Sequence, residues 1–459
     1  MTAQISADSV HRLVKQAIDS GTAASLDEAE ALFRGYRLAV ELHHSGVADP
    51  VQQATLLTIV ALGQRVFLGG VEVAGPLDAP VVLQMPFGRT LADAVQALGG
   101  KLNGEGGSTP TIVVGGGAGE RREGFCVRTA AEGWRGGILP IHSELHPAGS
   151  EAMPLSGMLA AALAVNEAFL HINGGAPAAG RRVLGLSLWQ PSSDVDWLQP
   201  DKTEPLLTYL PSRLWLIGLG HLGQAYLWAL GLLPYRHPAE VALVLQDIDI
   251  ITKSTESTSI LTNSAMAGEK KTRAMASWAE RRGFCTSIHE RMFAADFRRQ
   301  ADEPAVALCG LDNGAARRAL DQVGFEFIVE AGLGRGHRDF RTMRLHTFPG
   351  PRTAADIWKA TAERERVEDQ PAYTKLLSDG VLDQCGMTLL AGKAVGAPFV
   401  GSIAATLALA EVLRLLHGGA LHQLIDVDLL SLDQRQIVRH SRDFSALNPG
   451  FVSAGTSST

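Results

Sequence analysis

Cysteine is scarce. Four occur in 459 residues, Cys126, Cys285, Cys309 and Cys385, and none stands in a C-x-x-C pair. That excludes a Cys-rich zinc site and leaves a disulfide framework without support. Long hydrophobic runs are lacking too. Met158–Leu170 is interrupted by Asn166 and Glu167 and is too short to span a bilayer. The opening M-T-A-Q-I-S-A-D-S-V-H-R has no apolar core of a signal peptide. The expectation is a soluble protein of a reducing compartment, the cytoplasm, with no membrane partner. Positive charge is in deficit, 41 Lys and Arg against 48 Asp and Glu, net −7, which argues against a nucleic-acid binder. Tyr and Trp are scattered and form no base-stacking platform. The histidines, among them His43-His44 and His142 with His146, have no companions at metal-ligand spacing.

What is present is enough to fold. Hydrophobic residues make up 46% and charged ones 19%, so wholesale disorder is excluded. The length favours two or three domains at about 100–200 residues each. A helical opening is expected over Asp8–His44, with the S-x-x-E pattern of a capping box at Ser25 and Glu28. Another helix follows over Val51–Phe67. Short apolar runs at Pro80–Leu83, Thr111–Val114 and Phe125–Val127 read as strands, so the first half is α/β or α+β.

An internal repeat organises the chain. G-M-L-A-A-A-L-A-V-N-E starts at Gly157 and G-S-I-A-A-T-L-A-L-A-E starts at Gly401. Gly157, Ala160, Ala161, Leu163, Ala164 and Glu167 match Gly401, Ala404, Ala405, Leu407, Ala408 and Glu411. Each segment runs through Gly-Gly into a strand-like stretch, Val183–Trp189 or Gln423–Leu430. A duplicated architecture follows, with its boundary in the Pro/Asp/Ser-rich stretch Pro191–Pro205. Two domains are expected at 1–200 and 206–445, with a flexible tail over 446–459.

The second half alternates strand and helix, which calls for a parallel sheet. Strand Arg213–Ile217 runs into G-L-G-H-L-G, Gly218 to Gly223. Between a strand and a helix, this is the context of a nucleotide-binding fingerprint. Gly218 permits the tight turn, Gly220 lets backbone approach a phosphate, and Gly223 allows helix–sheet contact. The helix start adds amide donors. Without a ligand the same glycines make a structural turn. Next come Asp247 and Asp249 after strand Val241–Gln246, placed to hold ribose hydroxyls or merely to cap a loop. Lys271, in G-E-K-K at a helix start, can reach phosphates as a point charge or sit solvated. Asp312, in C-G-L-D-N after strand Ala305–Leu308, lies at the ligand-binding edge of such a sheet. It could hold Mg²⁺ or cap helix Ala315–Gln322. The glycine run Val113–Gly119 is followed by charge and another strand-like segment, and reads as a hairpin or loop. Arg335, His337 and Arg338 form a basic loop, a solvated turn or a meeting point for an acidic partner.

Taken in order, G-x-G-x-x-G, D-x-D, G-x-x-K and strand–D-N resemble the ThiF/MoeB/ubiquitin-activating-enzyme superfamily, closely over about Arg213–Gly350. Ala397–Arg414 resembles the family's closing helix. The resemblance implies a Rossmann-like α/β adenylation domain, preceded by a degenerate, inactive related half about a pseudo-two-fold axis. It implies ATP and Mg²⁺ as cofactors: the Gly218 loop on phosphates, Asp249 on ribose, Lys271 on the triphosphate, Asp312 on the metal. The implied partner is a ubiquitin-like or sulfur-carrier protein, adenylated at its C-terminal glycine. The implied setting is a ubiquitin-like conjugation or antiviral-defence system, with transfer onward to a conjugating protein. With both halves in one chain, the protein is a pseudo-dimer, and further pairing as a homodimer stays open.

Two departures qualify the resemblance. The family's S-N-L-x-R-Q pattern is replaced by S-T-E-S-T-S, Ser254–Ser259, with Thr255 at the Asn position and Thr258 at the Arg position. Hydroxyls cannot supply a bidentate cation, so another arginine must enter the site or the chemistry is weakened. The first half could lend one. The zinc-binding C-x-x-C pairs of some bacterial members are absent as well. Cys385, in D-Q-C-G-M-T, follows the long charged stretch Pro351–Asp383. The resemblance casts about 350–396 as a crossover loop and Cys385 as the thiol that takes the acyl group, a role suited to a good nucleophile and leaving group. Cys126, Cys285 and Cys309 lie in apolar strand-like segments and read as buried. Two other functions remain: a catalytically weakened scaffold of the same fold, and an NAD(P)-dependent oxidoreductase on the Gly218 fingerprint.

Overall fold

The computed structural model describes residues 6–102, 109–149, 153–359 and 367–455. The first half runs α1 (Lys15–Asp19), α2 (Leu26–Arg34), β1 (Arg37–Leu42), α3 (Pro50–Val66), β2 (Gly70–Ala74), α4 (Leu91–Ala97), β3 (Lys101–Leu102), β4 (Thr111–Val114), β5 (Cys126–Glu132), β6 (Arg135–Pro140), α5 (Pro154–Ile172) and β7 (Leu184–Ser187). The second half opens with β8 (Tyr209–Pro211), β9 (Arg213–Ile217), α6 (His221–Leu232), β10 (Ala242–Gln246), α7 (Lys253–Glu256), α8 (Lys271–Arg281), β11 (Cys285–His289), β12 (Val306–Cys309) and α9 (Gly314–Arg318). It closes with β13 (Phe327–Leu333), β14 (Thr342–Phe348), α10 (Ala354–Ile357), α11 (Pro371–Ser378), α12 (Gln384–Ala391), α13 (Pro398–Leu416), β15 (His422–Asp428), β16 (Gln436–Arg439) and β17 (Phe451–Ser453).

The duplication extends to every strand of the first sheet. That sheet has the order β3-β2-β1-β4-β5-β6-β7, and the second has β11-β10-β9-β12-β13-β14-β15-β16. In both, the first five strands are parallel and the next two antiparallel. The repeated segments are α5 and α13, each 19 residues long, with Pro at the first position where a missing N–H costs nothing. They are apolar on nearly every face because they are buried between the two halves, within one core that spans both. Their length and composition would suit a membrane span, but 89% of each is covered by the protein itself. The matched glycines have matched tasks. A Cβ at Gly157 would come 2.6 Å from the Val51 carbonyl at the start of α3, and one at Gly401 would overlap His221 at the start of α6.

The halves also clasp each other reciprocally. Glu167 of α5 pairs with Arg182 at 2.6 Å, and Arg182 donates across to the Leu430 carbonyl at 2.9 Å. Glu411 of α13 pairs with Arg414, and Arg414 donates across to the Leu188 carbonyl. Each carboxylate therefore holds an arginine that reaches just past the other half's closing strand.

Several expectations need correction. The opening is not helical through His44: Arg37–Leu42 is the central strand β1. Leu38, Val40 and Leu42 are buried at every second position, a period of two that the flanking helical pattern obscured. Ser25 does cap α2 through Glu28 N–H, but Glu28 accepts from Ala24 N rather than closing the box on Ser25. Pro80–Leu83 is no strand. Its Pro80 carbonyl and Val82 N–H are satisfied by the Gln53 side chain, at 2.9 and 2.8 Å. The Val113–Gly119 run is not a hairpin, since β4 and β5 are parallel; it is the loop reading that holds. The expected helix Ala315–Gln322 is shortened to α9 and a 3-10 turn. In the expected tail, Phe451–Ser453 pairs antiparallel with β8, while 456–459 lie outside the described residues. The expected crossover carries α10, α11 and α12, with 360–366 outside the described residues. Cys126 and Cys309 are buried, but Cys285 is exposed on edge strand β11 and donates to the Ala239 carbonyl.

Candidate nucleotide-binding site

A cavity of about 710 Å³ opens at the C-terminal ends of β9, β10 and β12. Its floor is the Gly218 turn. Gly218 has φ +83°, and a Cβ there would sit 2.7 Å from the Gly310 carbonyl, so only glycine fits. A Cβ at Gly223 would overlap the Gly218 carbonyl, whereas Gly220 faces open space toward Lys271. The backbone is thus pressed together beneath the cavity and left bare where a ligand would approach.

The two acids divide their work. Asp247 accepts from Leu219 N at 2.7 Å and Asp249 N at 2.8 Å, which ties the glycine turn to the loop after β10. Asp249 is exposed and pairs with Lys271 Nζ at 2.8 Å. Asp312 is exposed in the cavity wall. The cap of α9 is not Asp312 but Asn313, whose side-chain oxygen accepts from Ala315 N at 2.8 Å, so Asp312 is left to face the cavity. Gly218, Gly220, Asp247, Asp249, Lys271 and Asp312 all line this one space. Cys385 does not. It is exposed in the first turn of α12, outside the lining residues.

Arg12, from the leader before α1, also lines the cavity. It rests on the hydroxyl-rich segment that replaces the family's Asn and Arg. The Arg12 N–H donates to Ser257 Oγ at 3.1 Å and its guanidinium to Ser254 Oγ at 3.3 Å. Ser254 N donates to the Asp8 carbonyl, and Asp8 pairs with Lys393 at 2.8 Å. Burial holds the Arg12 pKa below its ordinary value; Asp8 opposes this, the Arg335 charge adds to it, and Asp312 opposes it. Sequence reasoning could not name Arg12, which comes from more than two hundred residues upstream with no local motif. Arg317 was missed too. It donates to the Leu311 carbonyl at 2.8 Å and pairs with buried Glu330 at 3.0 Å, so it braces the loop that presents Asp312. Its spacing, one helical turn past Asn313, was the available signal. His221, in the glycine turn, has its pKa lowered to about 4 by burial, against the Pro398 and Ala397 carbonyls.

No group of three or more His, Cys, Asp or Glu that could hold a metal occurs among the described residues. Asp312 is an exposed carboxylate in the cavity wall, a donor of the kind that holds Mg²⁺ together with substrate phosphates and water.

Comparison with known proteins decides the family. A relative described as bacterial E1-like protein BilD, from Collimonas sp. (strain OK412), is 45% identical over 419 residues, covering 91% of this chain and 90% of the relative. The chain belongs to the BilD family of bacterial E1-like proteins. The BilD N-terminal domain matches residues 37–188 and the BilD C-terminal domain residues 210–419. These two family domains flank the Pro191–Pro205 stretch. Solved structures of E. coli MccB, alone and with ATP, are similar at 14% and 13% identity with TM-scores of 0.33 and 0.31. They cover 50% and 51% of this chain, and the chain spans 63% and 64% of theirs.

Proposed function

We propose that this BilD-family chain uses ATP to activate the C-terminal glycine of a ubiquitin-like or sulfur-carrier protein. The observation that carries the reading is the convergence of the glycine turn, Asp249 with Lys271, Asp312 and the leader's Arg12 on one cavity. A carboxylate oxygen of the partner attacks the α-phosphorus of ATP. The bond to the bridging oxygen breaks, pyrophosphate leaves, and the partner ends as an acyl-adenylate. Negative charge builds on the phosphates, so positioning and charge stabilisation do the chemical work. The glycine-turn amides cradle phosphate, Asp249 takes ribose hydroxyls once its lysine turns to phosphate, and Arg12 supplies the missing guanidinium. Asp312 would hold Mg²⁺, which when bound would supply neutralisation of the phosphate charge.

Cys385 would take the acyl group in a second step. Its thiolate attacks the acyl carbon, AMP leaves, and a thioester forms. As Cys385 lies outside the cavity, that step requires the α11–α12 segment to move. A weakened scaffold finds its support in Thr255 and Thr258, but Arg12 stands where their loss would be felt. Family membership leaves the oxidoreductase reading with only the glycine fingerprint.

Calorimetry of Mg·ATP and of NAD(H), on wild type and Asp312→Ala, tests the site. Mg·ATP binding that Asp312→Ala weakens is the expected result. NAD binding alone sinks the proposal. With the partner in hand, Cys385→Ser should keep pyrophosphate exchange and lose the thiol-labile adduct; an adduct that persists removes Cys385 from the mechanism.

A further inference from the structure

The basic loop after β13 has no part in the steps above. Its backbone is fixed at several points. Gly334 N donates to the Thr342 carbonyl at 2.9 Å, Gly336 N to the Asp339 carboxylate at 2.6 Å, and Phe340 N to the Gly336 carbonyl at 3.0 Å. Val395 N donates to the Arg335 carbonyl at 2.8 Å, which ties the loop to the segment between α12 and α13. A Cβ at Gly334 would overlap the Asp339 carbonyl, so the loop is built for a close turn. Arg335 lines the cavity from this rigid base.

A charge count singles Arg335 out. Around the cavity, Lys271 is matched by Asp249, Lys393 by Asp8, Arg291 by Asp296 and Arg317 by Glu330. Arg12 rests on serine hydroxyls. Arg335 has neither an ion pair nor a side-chain hydrogen bond among the described residues, and its charge is felt by Arg12. Arg12 also feels the Asp8 and Asp312 carboxylates, so it is Arg335 whose guanidinium is left for an anion that a ligand brings.

The strand order says which anion. Along the sheet edge stand Asp249 after β10, the glycine turn after β9, Asp312 after β12, and then Arg335 after β13. A nucleotide whose ribose is at Asp249 and whose phosphates lie on the glycine turn and at Asp312 is already provided with cations. Arg335 lies one strand beyond it. Besides Lys393 and Val395, the cavity lining includes the small residues Gly334, Gly392, Ala394, Gly396 and Ala397, and Val395 N ties that segment to the Arg335 carbonyl; small residues of this kind suit a chain end without side chains. We propose that Arg335 docks the C-terminal carboxylate of the protein substrate and stands outside the nucleotide clamp. This rests on the activation reading above. A guanidinium can hold one carboxylate oxygen while the other faces the α-phosphorus, and its planar fork makes Lys a poor substitute.

The test uses full-length protein loaded with Mg²⁺ and a non-hydrolysable ATP analogue. The probe is a short N-acetylated peptide ending in Gly-Gly, as free acid and as amide, followed by calorimetry. Wild type should prefer the acid by about tenfold or more, the equivalent of about 1.4 kcal/mol or more. Arg335→Gln should bring the acid down to the amide, Arg335→Lys should restore only part, and Mg·ATP affinity should hold in both. The proposal falls if wild type does not distinguish acid from amide, if Arg335→Gln keeps the preference, or if it weakens Mg·ATP as much as the acid. Wild type that binds no Mg·ATP would instead sink the activation reading itself.

Discussion

The two halves share a sheet order, a core helix and a clasp, yet differ at the edge where a ligand would bind. After β9 the second half has Gly218-Leu219-Gly220 leading into α6. After β1, at the same place in the first sheet, the chain reads His43-His44-Ser45-Gly46 and enters a 3-10 turn. After β10 stand Asp247 and Asp249; after β2 stand Gly75 and Pro76. After β12 comes Asp312; after β4 come Gly115 and Gly116, both with positive φ and neither bearing a side chain. Packing therefore preserves the architecture of both halves, while the loops that carry chemistry diverge freely. The first half contributes mainly by contact: it buries α13 against α5, and its leader delivers Arg12.

That contrast can be broken most decisively at the nucleotide. Asp312→Ala should cost adenylate formation about a hundredfold or more, since a bound metal is worth several kcal/mol of charge stabilisation. Pyrophosphate exchange reads it. His43→Ala, at the first half's counterpart of the glycine turn, should leave Mg·ATP binding unchanged. A loss there would mean that the first half keeps a nucleotide site of its own.

Arg12→Ala comes next. A charge-assisted hydrogen bond is worth about 1.5–3 kcal/mol, so turnover should fall by about tenfold to a hundredfold. Mg·ATP binding should suffer less than turnover if Arg12 acts on charge that develops during transfer. Equal loss in both would make it a plain binding residue.

The clasp gives a comparison in stability. Arg414 is fully buried with Glu411, and removing one partner of such a pair costs about 3–5 kcal/mol. Arg182 is partly exposed, 26% for its side chain, so water can replace part of what it gives Glu167. Arg414→Met should lower the urea midpoint more than Arg182→Met. The reverse order would show that the pseudo-symmetry is geometric but not energetic.

Much of this was legible in the residues. Glycine spacing after an apolar strand located the cavity floor, and the matched Gly157 and Gly401 announced two core helices with the same packing. Asp247 and Asp249 followed from their distance to that turn, Asp312 from its place after a strand, and Lys271 from its place at a helix start beside the other motifs. What stayed hidden was tertiary. β1 reads as helix because its six residues sit between helical stretches, and only the sheet makes its alternation decisive. Pro80–Leu83 looks like a strand until Gln53 satisfies its backbone. Arg12 and Arg335 have no spacing relation to the glycine turn, because one comes from the leader and the other from a loop two strands away.

Acidification offers the finest test of where the difference between the halves lies. His11 in the leader and His221 in the glycine turn both have pKa values lowered to about 4, chiefly by burial. Their folded values lie below the ordinary 6.5, so the unfolded chain binds their protons first. Stability is then complete above about 6.5 and is lost as pH falls from there toward about 4, by at most about 1.4 kcal/mol per pH unit for each imidazole. His221 lines the second half's cavity, whereas His11, next to Arg12 in the leader, is buried against Arg65 of α3. Urea unfolding across that window should show the decline, and His11→Gln or His221→Asn should each flatten it. If neither does, the acid sensitivity arises elsewhere, and His422, also held low by burial despite Glu411, is the residue to change next.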